Sequence, residues 1–149
     1  MKPDITTVPN LALDKYLGRW YEIARIDNRF ERGISNAIAE YSLNPNGTIK
    51  VVNSGVDIKT GKVKSAVGKA KMTSVPGLLR VSFFWIFYSD YRVLAVDENY
   101  KWALVGGSSS KYLWILSRTP KLLEKEVALV LSEASRRGYD TGRLIYPWK

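Results

Sequence analysis

Residues 36–56 read Asn36-Ala37-Ile38-Ala39-Glu40-Tyr41-Ser42-Leu43-Asn44-Pro45-Asn46-Gly47-Thr48-Ile49-Lys50-Val51-Val52-Asn53-Ser54-Gly55-Val56. Two runs rich in β-branched and aromatic residues flank Asn44-Pro45-Asn46-Gly47, whose Asn, Pro and Gly favour a tight turn. Before the turn, Ala39 and Tyr41 bracket Glu40. After it, Ile49, Val51 and Asn53 bracket Lys50 and Val52. A period of two with a charge on one parity is the pattern of an antiparallel hairpin with one dry face and one wet face.

Outward from this hairpin the same unit recurs. Turn signals follow roughly every 10–15 residues from Gly18 to Gly107, at Lys59-Thr60-Gly61, Val75-Pro76-Gly77, Asp97-Glu98-Asn99-Tyr100 and Gly106-Gly107-Ser108. That spacing argues against βαβ units and predicts strands over 19–27, 36–44, 48–56, 63–73, 78–86, 91–97, 101–107 and 112–118. Consecutive hairpins of eight strands make an all-β, antiparallel, up-and-down barrel, a size that either fills with side chains or holds one small ligand.

Alternation assigns the inner wall. Ala39 and Tyr41, Ile49, Val51 and Asn53, Val81 and Phe83, and Tyr91, Val93 and Ala95 share the apolar parity. Strand 63–73 changes parity between Lys62/Lys64 and Lys69/Lys71, which predicts a bulge near Gly68 and places Ala70 and Met72 inward beyond it. Strand 112–118 is apolar on both faces. One helix is predicted over 120–137, with Thr119 as N-cap, Pro120 at the first position, Gly138 after the end and an apolar stripe of Leu123, Val127, Val130, Leu131 and Ala134. Leu113 and Ile115 are expected to face that helix, and Tyr112, Trp114, Leu116 and Arg118 the barrel. The alanines among the inward aromatics favour a cavity over a packed core.

The chain has 149 residues and neither His nor Cys. This removes imidazole and thiol nucleophiles, His-assisted acid/base chemistry and zinc ligation, and no cofactor is expected. With 23 Lys plus Arg against 14 Asp plus Glu, the formal charge is +9, which suits anionic partners. Met1-Lys2-Pro3-Asp4 lacks the apolar core of a signal peptide, and the longest apolar run, Phe83–Tyr88, is too short to span a bilayer. A soluble single domain over 1–149, with an extended segment over 1–10, is the expectation.

Three motifs in order resemble a known family. Gly18-Arg19-Trp20-Tyr21-Glu22-Ile23-Ala24-Arg25 resembles the Gly-x-Trp opening of the lipocalins. Asp97-Glu98-Asn99-Tyr100 resembles their Thr-Asp-Tyr loop, with Asn99 where Asp is usual, and Arg118 matches the Arg that closes their eighth strand. Arg29-Phe30-Glu31-Arg32-Gly33, Val81-Ser82-Phe83-Phe84 and Tyr112 to Pro120 look most like bacterial lipocalins of the outer-membrane lipoprotein group. The resemblance runs from about Leu11 to Tyr146. It implies a calyx for a fatty acid or lysophospholipid, in a periplasmic or outer-membrane-associated protein usually anchored through a lipidated Cys, which this sequence does not contain. Gly18, Trp20, Tyr100 and Arg118 are then structural, and Tyr41, Val51, Asn53, Met72, Phe83, Tyr91, Val93, Tyr112 and Trp114 are the candidate ligand contacts.

Up-and-down topology brings the start of strand one and the end of strand eight to the same end, so Trp20 and Arg118 are expected to stack at a closed floor. The other end, with links 28–35, 57–62, 86–90 and 107–111, is the mouth. Its five cations (Arg29, Arg32, Lys59, Lys62, Lys111) and four acids (Asp27, Glu31, Asp57, Asp90) leave a net of only +1. Glu22 shares the parity of Trp20 and reads as a lone structural carboxylate. An enzyme on the same fold, an isomerase or dehydratase using Glu22, Tyr41, Tyr91 or Tyr112, is the alternative to a binding protein without chemistry. Nucleic-acid binding is disfavoured because most aromatics have inward parity. Between Ile58 and Ser89 lie six cations and no acid, beside Phe84-Trp85-Ile86-Phe87. That pattern suits docking of an apolar tip on an anionic membrane or, as the alternative, a homodimer contact.

Overall fold

A computed structural model describes residues 2–83 and 89–147. Eight strands follow one another as antiparallel neighbours: β1 (Gly18–Ile26), β2 (Ile34–Leu43), β3 (Ile49–Asp57), β4 (Val63–Met72), β5 (Leu78–Phe83), β6 (Ser89–Val96), β7 (Trp102–Gly106) and β8 (Leu113–Ser117). β1 pairs with both β8 and β2, which closes the barrel. Closure leaves none of these eight strands as a sheet edge. The opening hairpin keeps its expected register, with Tyr41 opposite Val51 and Ala39 opposite Asn53.

Two further elements are short and carry little periodicity. A one-turn helix, α1 (Leu13–Tyr16), precedes β1, and β9 (Leu144–Ile145) pairs with the mouth end of β1. Residues before α1 run along the outside, held by Val8 N–H on Val93 O and Asp4 N–H on Arg137 O. At the junction of α1 and β1, Gly18 has φ 105°, and a Cβ there would come within 3.3 Å of Arg118 Nη1. Glycine is required by backbone and neighbour alike.

The C-terminal helix, α2 (Glu124–Arg136), lies outside the barrel, with Val130 and Ala134 fully buried against Leu104, Leu113 and Ile115. It begins four residues later than expected. Ser117 Oγ accepts from Thr119 N–H, and Thr119 Oγ1 donates to Lys121 O, so residues 117–121 form a tight turn out of the sheet. The connection then buries Leu122 and leaves Leu123, counted in the apolar stripe, 61% exposed. Glu126 Oε1 accepts from Leu123 N–H and fixes the start.

Bulges fall elsewhere than near Gly68. β4 pairs without interruption, Val51 opposite Gly68 and Asn53 opposite Ala66 on one side and Gly68 opposite Phe83 on the other. Lys64 shares the inward parity, and it is accommodated because it sits at the mouth, where its Nζ reaches Asp57 at 3.1 Å. The register shifts lie between Glu22 and Ala24, between Ser35 and Ile38, and between Val93 and Ala95. Each flips the faces beyond it. Ala95 therefore packs on the helix side, contrary to its parity, and Arg25 turns into the barrel. The apolar tip expected at Phe84, Trp85, Ile86 and Phe87 lies outside the described residues.

Candidate functional site

The barrel interior has a filled lower half and a polar upper half. At the bottom, α1 inserts Tyr16, which is 2% exposed, beneath Trp20. The Trp20 Nε1–H donates to Tyr16 O at 2.8 Å, and the Arg118 guanidinium lies 3.8 Å above the Trp20 ring. Arg118 also donates to the carbonyls of Lys15, Leu17, Arg19 and Tyr100. A half-buried cation between an indole face and four carbonyls is a lock on the floor. Tyr100, at φ 57°, accepts from Ala12 N–H through its hydroxyl and sets α1 in place.

Above that lock, Tyr91 Oη hydrogen-bonds Tyr16 Oη at 2.5 Å and Tyr41 Oη at 2.9 Å. Burial pushes all three phenols above their ordinary range, so they are neutral hydroxyls at any physiological pH. The space among Tyr16, Tyr41, Tyr91, Ile49, Ala70 and Leu79 is about 10 Å³. That admits one water at most.

The upper half is built around Arg25, 1% exposed. Its Nε–H donates to Asp27, Nη1 to Glu22 Oε2 at 3.2 Å, and Nη2 to the carbonyls of Glu31 and Ile34. Glu31 arrives from the β1–β2 loop, where its Oε1 accepts from Asn28 and, at 2.7 Å, from the indole N–H of Trp114. Tyr112 stacks on Trp114 with ring centroids 6.1 Å apart. Burial foremost, and then the charge and hydrogen bond of Glu31, hold the Glu22 carboxyl well above the usual range against the pull of Arg25. Facing this cluster, Asn53 is exposed despite its inward parity, flanked by its partly exposed partners Ala39 and Ala66. The small side chains leave this wall open.

The candidate contacts thus separate. Tyr41, Val51, Tyr91 and Val93 belong to the filled lower half, while Asn53, Tyr112 and Trp114 line the upper half. Met72 shares the parity of Ala70 but lies beyond it at the closed end, 46% exposed, because without a bulge β4 runs past the floor before it turns. The Phe83 side chain lies outside the described residues. Glu22 is not the lone carboxylate its sequence context suggests, since Arg25 and Glu31 converge on it. Sequence reasoning missed Arg25 because the β1 bulge carries no Gly or Pro to mark it. It missed Tyr16 because a four-residue helix has no readable period, and Glu31 because loop residues carry no parity.

Among the described residues there is no group of three or more acidic side chains arranged to hold a metal ion, and no helix is long and apolar enough to cross a membrane. The family model described as a lipocalin-like domain matches residues 11–149. The outer membrane lipoprotein Blc of Vibrio cholerae is 44% identical over 149 residues, covering 98% of this chain and 87% of that protein. Its namesake in Escherichia coli K12 is 44% identical over 144 residues, covering 95% and 81%. Among solved structures, insecticyanin from the tobacco hornworm Manduca sexta superposes with a TM-score of 0.82 at 24% identity, covering 99% of this chain and 85% of that one. That likeness establishes the barrel alone, whereas the family match and the identity to the lipoproteins reach further: the chain belongs to the lipocalin family, with bacterial outer membrane lipoproteins among its near relatives.

Proposed function

We propose that the chain binds a single-chain lipid, a fatty acid or a lysophospholipid, non-covalently in the upper half of the calyx and stores or carries it at the bacterial envelope. Family membership implies a small hydrophobic ligand, and the names of the two relatives support an envelope location. The observation that carries the reading is the open wall of Ala39, Asn53 and Ala66 facing the Tyr112–Trp114 pair above a bottom sealed by the tyrosines. An acyl chain fills such a space by burying apolar area, at about 25 cal/mol per Å².

Polar groups set its orientation. Four of the Arg25 N–H groups are spent on protein oxygens, so the interior offers no unspent guanidinium to an anionic head group. The tail points inward and the head stays at the mouth. Catalysis is disfavoured by the same arrangement, because Glu22 is pinned to Arg25, and Tyr41 and Tyr91 are poor acids at their raised pKa.

The test combines mass spectrometry of an organic extract of the purified protein with titration of tryptophan emission by oleate and lysophosphatidylcholine. A saturable response lost in Trp114→Phe is the expected result. An empty extract together with unchanged emission would reject the reading.

A further inference from the structure

We infer that the rim of the mouth is a docking surface for an anionic lipid bilayer. Phe30 in the β1–β2 loop is 72% exposed, Ile58 in the β3–β4 loop 59%, and Val63 at the start of β4 74%. Ile58 N–H donates to Gly33 O at 3.0 Å, which ties the two loops that carry Phe30 and Ile58 side by side. Exposed large apolar groups gathered on adjacent loops mark a partner surface.

Charge identifies the partner. Counted from sequence, the mouth carries almost no net charge, but its four acids are engaged by partners. Asp27 is held by Arg25, Glu31 by Trp114 and Asn28 inside the barrel, Asp57 by Lys64, and Asp90 by Arg80 and Arg92. The rim cations Arg29, Arg32, Lys59, Lys62 and Lys111 are all exposed, and none enters an ion pair among the described residues. The Arg29 guanidinium lies 5.0 Å above the Phe30 ring, so charge and apolar tip are presented together. Cations spread among exposed apolar side chains suit a diffuse anionic plane with a hydrocarbon layer beneath it. Docked this way, the mouth faces the bilayer, and a lipid reaches the calyx without crossing water. The purpose of docking rests on the lipid-carrier reading, but the docking itself does not.

Flotation with phosphatidylglycerol and phosphatidylcholine vesicles, at low and high salt, tests the inference. Binding is expected to phosphatidylglycerol only and to weaken with salt. Lys59→Glu and Arg32→Glu should each lower it about fivefold or more, and Phe30→Ser with Ile58→Ser about tenfold or more. Leu129→Ser, which removes an equally exposed apolar side chain from α2, should leave it unchanged. Absence of selective binding, or insensitivity to the Phe30/Ile58 double change, overturns the inference. So does a dimer-to-monomer shift in that variant without vesicle binding, which assigns the rim to a second copy of the chain. Trp114 titration with soluble dodecanoate separates the two readings: a normal titration without vesicle binding rejects docking alone, and vesicle binding without a titration response rejects the calyx alone.

Discussion

Arg25→Met removes the guanidinium at the centre of the upper half and keeps most of the side-chain volume. Glu22, 5% exposed, then loses its cationic partner, and the carbonyls of Glu31 and Ile34 lose a charged donor. Breaking a buried ion pair from one side costs about 3–5 kcal/mol, because a charge remains uncompensated. For a domain of this size each kcal/mol moves Tm by about 2–4 °C, so a fall of roughly 6–20 °C is expected. The loss has a pH signature. Burial already raises the Glu22 pKa in the folded state, and a raised acid contributes stability that is complete below its unfolded value, about 4.3, and is lost as pH rises through the folded value. Without Arg25 the folded value rises further. The deficit relative to wild type is therefore largest near neutrality and shrinks as pH falls toward about 5, and Glu22→Gln in the same background recovers part of it. Urea unfolding followed by tryptophan emission at the two pH values measures this. A loss below about 1 kcal/mol at neutral pH, or a deficit that grows on acidification, would refute the account of the cluster.

Arg118→Ala should cost about 3 kcal/mol or more in denaturant stability, from the Trp20 stacking and four carbonyl acceptors together, while ligand affinity of the folded protein stays unchanged. Loss of affinity at full stability would move Arg118 from the floor to the ligand. Tyr91→Phe leaves the buried hydroxyls of Tyr16 and Tyr41 without their shared partner and should cost about 1–3 kcal/mol in thermal unfolding. Gly106→Ala sets a methyl 2.8 Å from Tyr139 Oη and 3.0 Å from Leu94 Cδ1, so overpacking of about 1–3 kcal/mol is the expected outcome, read by calorimetry.

The hairpin at 36–56 was legible because its signals are local. Turn residues and a period of two within a few positions specify which face is dry, and that holds through β2–β3 and β3–β4, where the described register runs as alternation demands from Ala39 to Ala70. The Trp20–Arg118 contact was legible for a different reason: topology alone brings the two ends of an up-and-down barrel together. Parity reasoning failed at Ala95 and gave no sign of Arg25, each just past a bulge, since one extra residue reverses every side chain beyond it and nothing in the residue types announces it. The start of α2 was misplaced because Thr119-Pro120 is a sound helix opening taken alone, and only the path from β8 to the outer wall uses it as a turn.

The eight barrel strands and their order, the outward helix and the closed floor follow from the amino-acid sequence by itself, because burying an alternating apolar face leaves few other arrangements for eight strands joined by consecutive hairpins. Where the calyx is open was decided only in three dimensions. Tyr16, remote in sequence from Tyr41 and Tyr91, meets both and fills the lower half, while Glu31 swings from a loop onto Trp114, 83 residues away. The mouth shows the same division, since residue counting yields its net charge but not which charges face solvent. That depends on Arg25, Lys64, Arg80 and Arg92 reaching Asp27, Asp57 and Asp90 and on Trp114 and Asn28 holding Glu31. Such contacts depend on the packing of whole strands, and no local pattern encodes them.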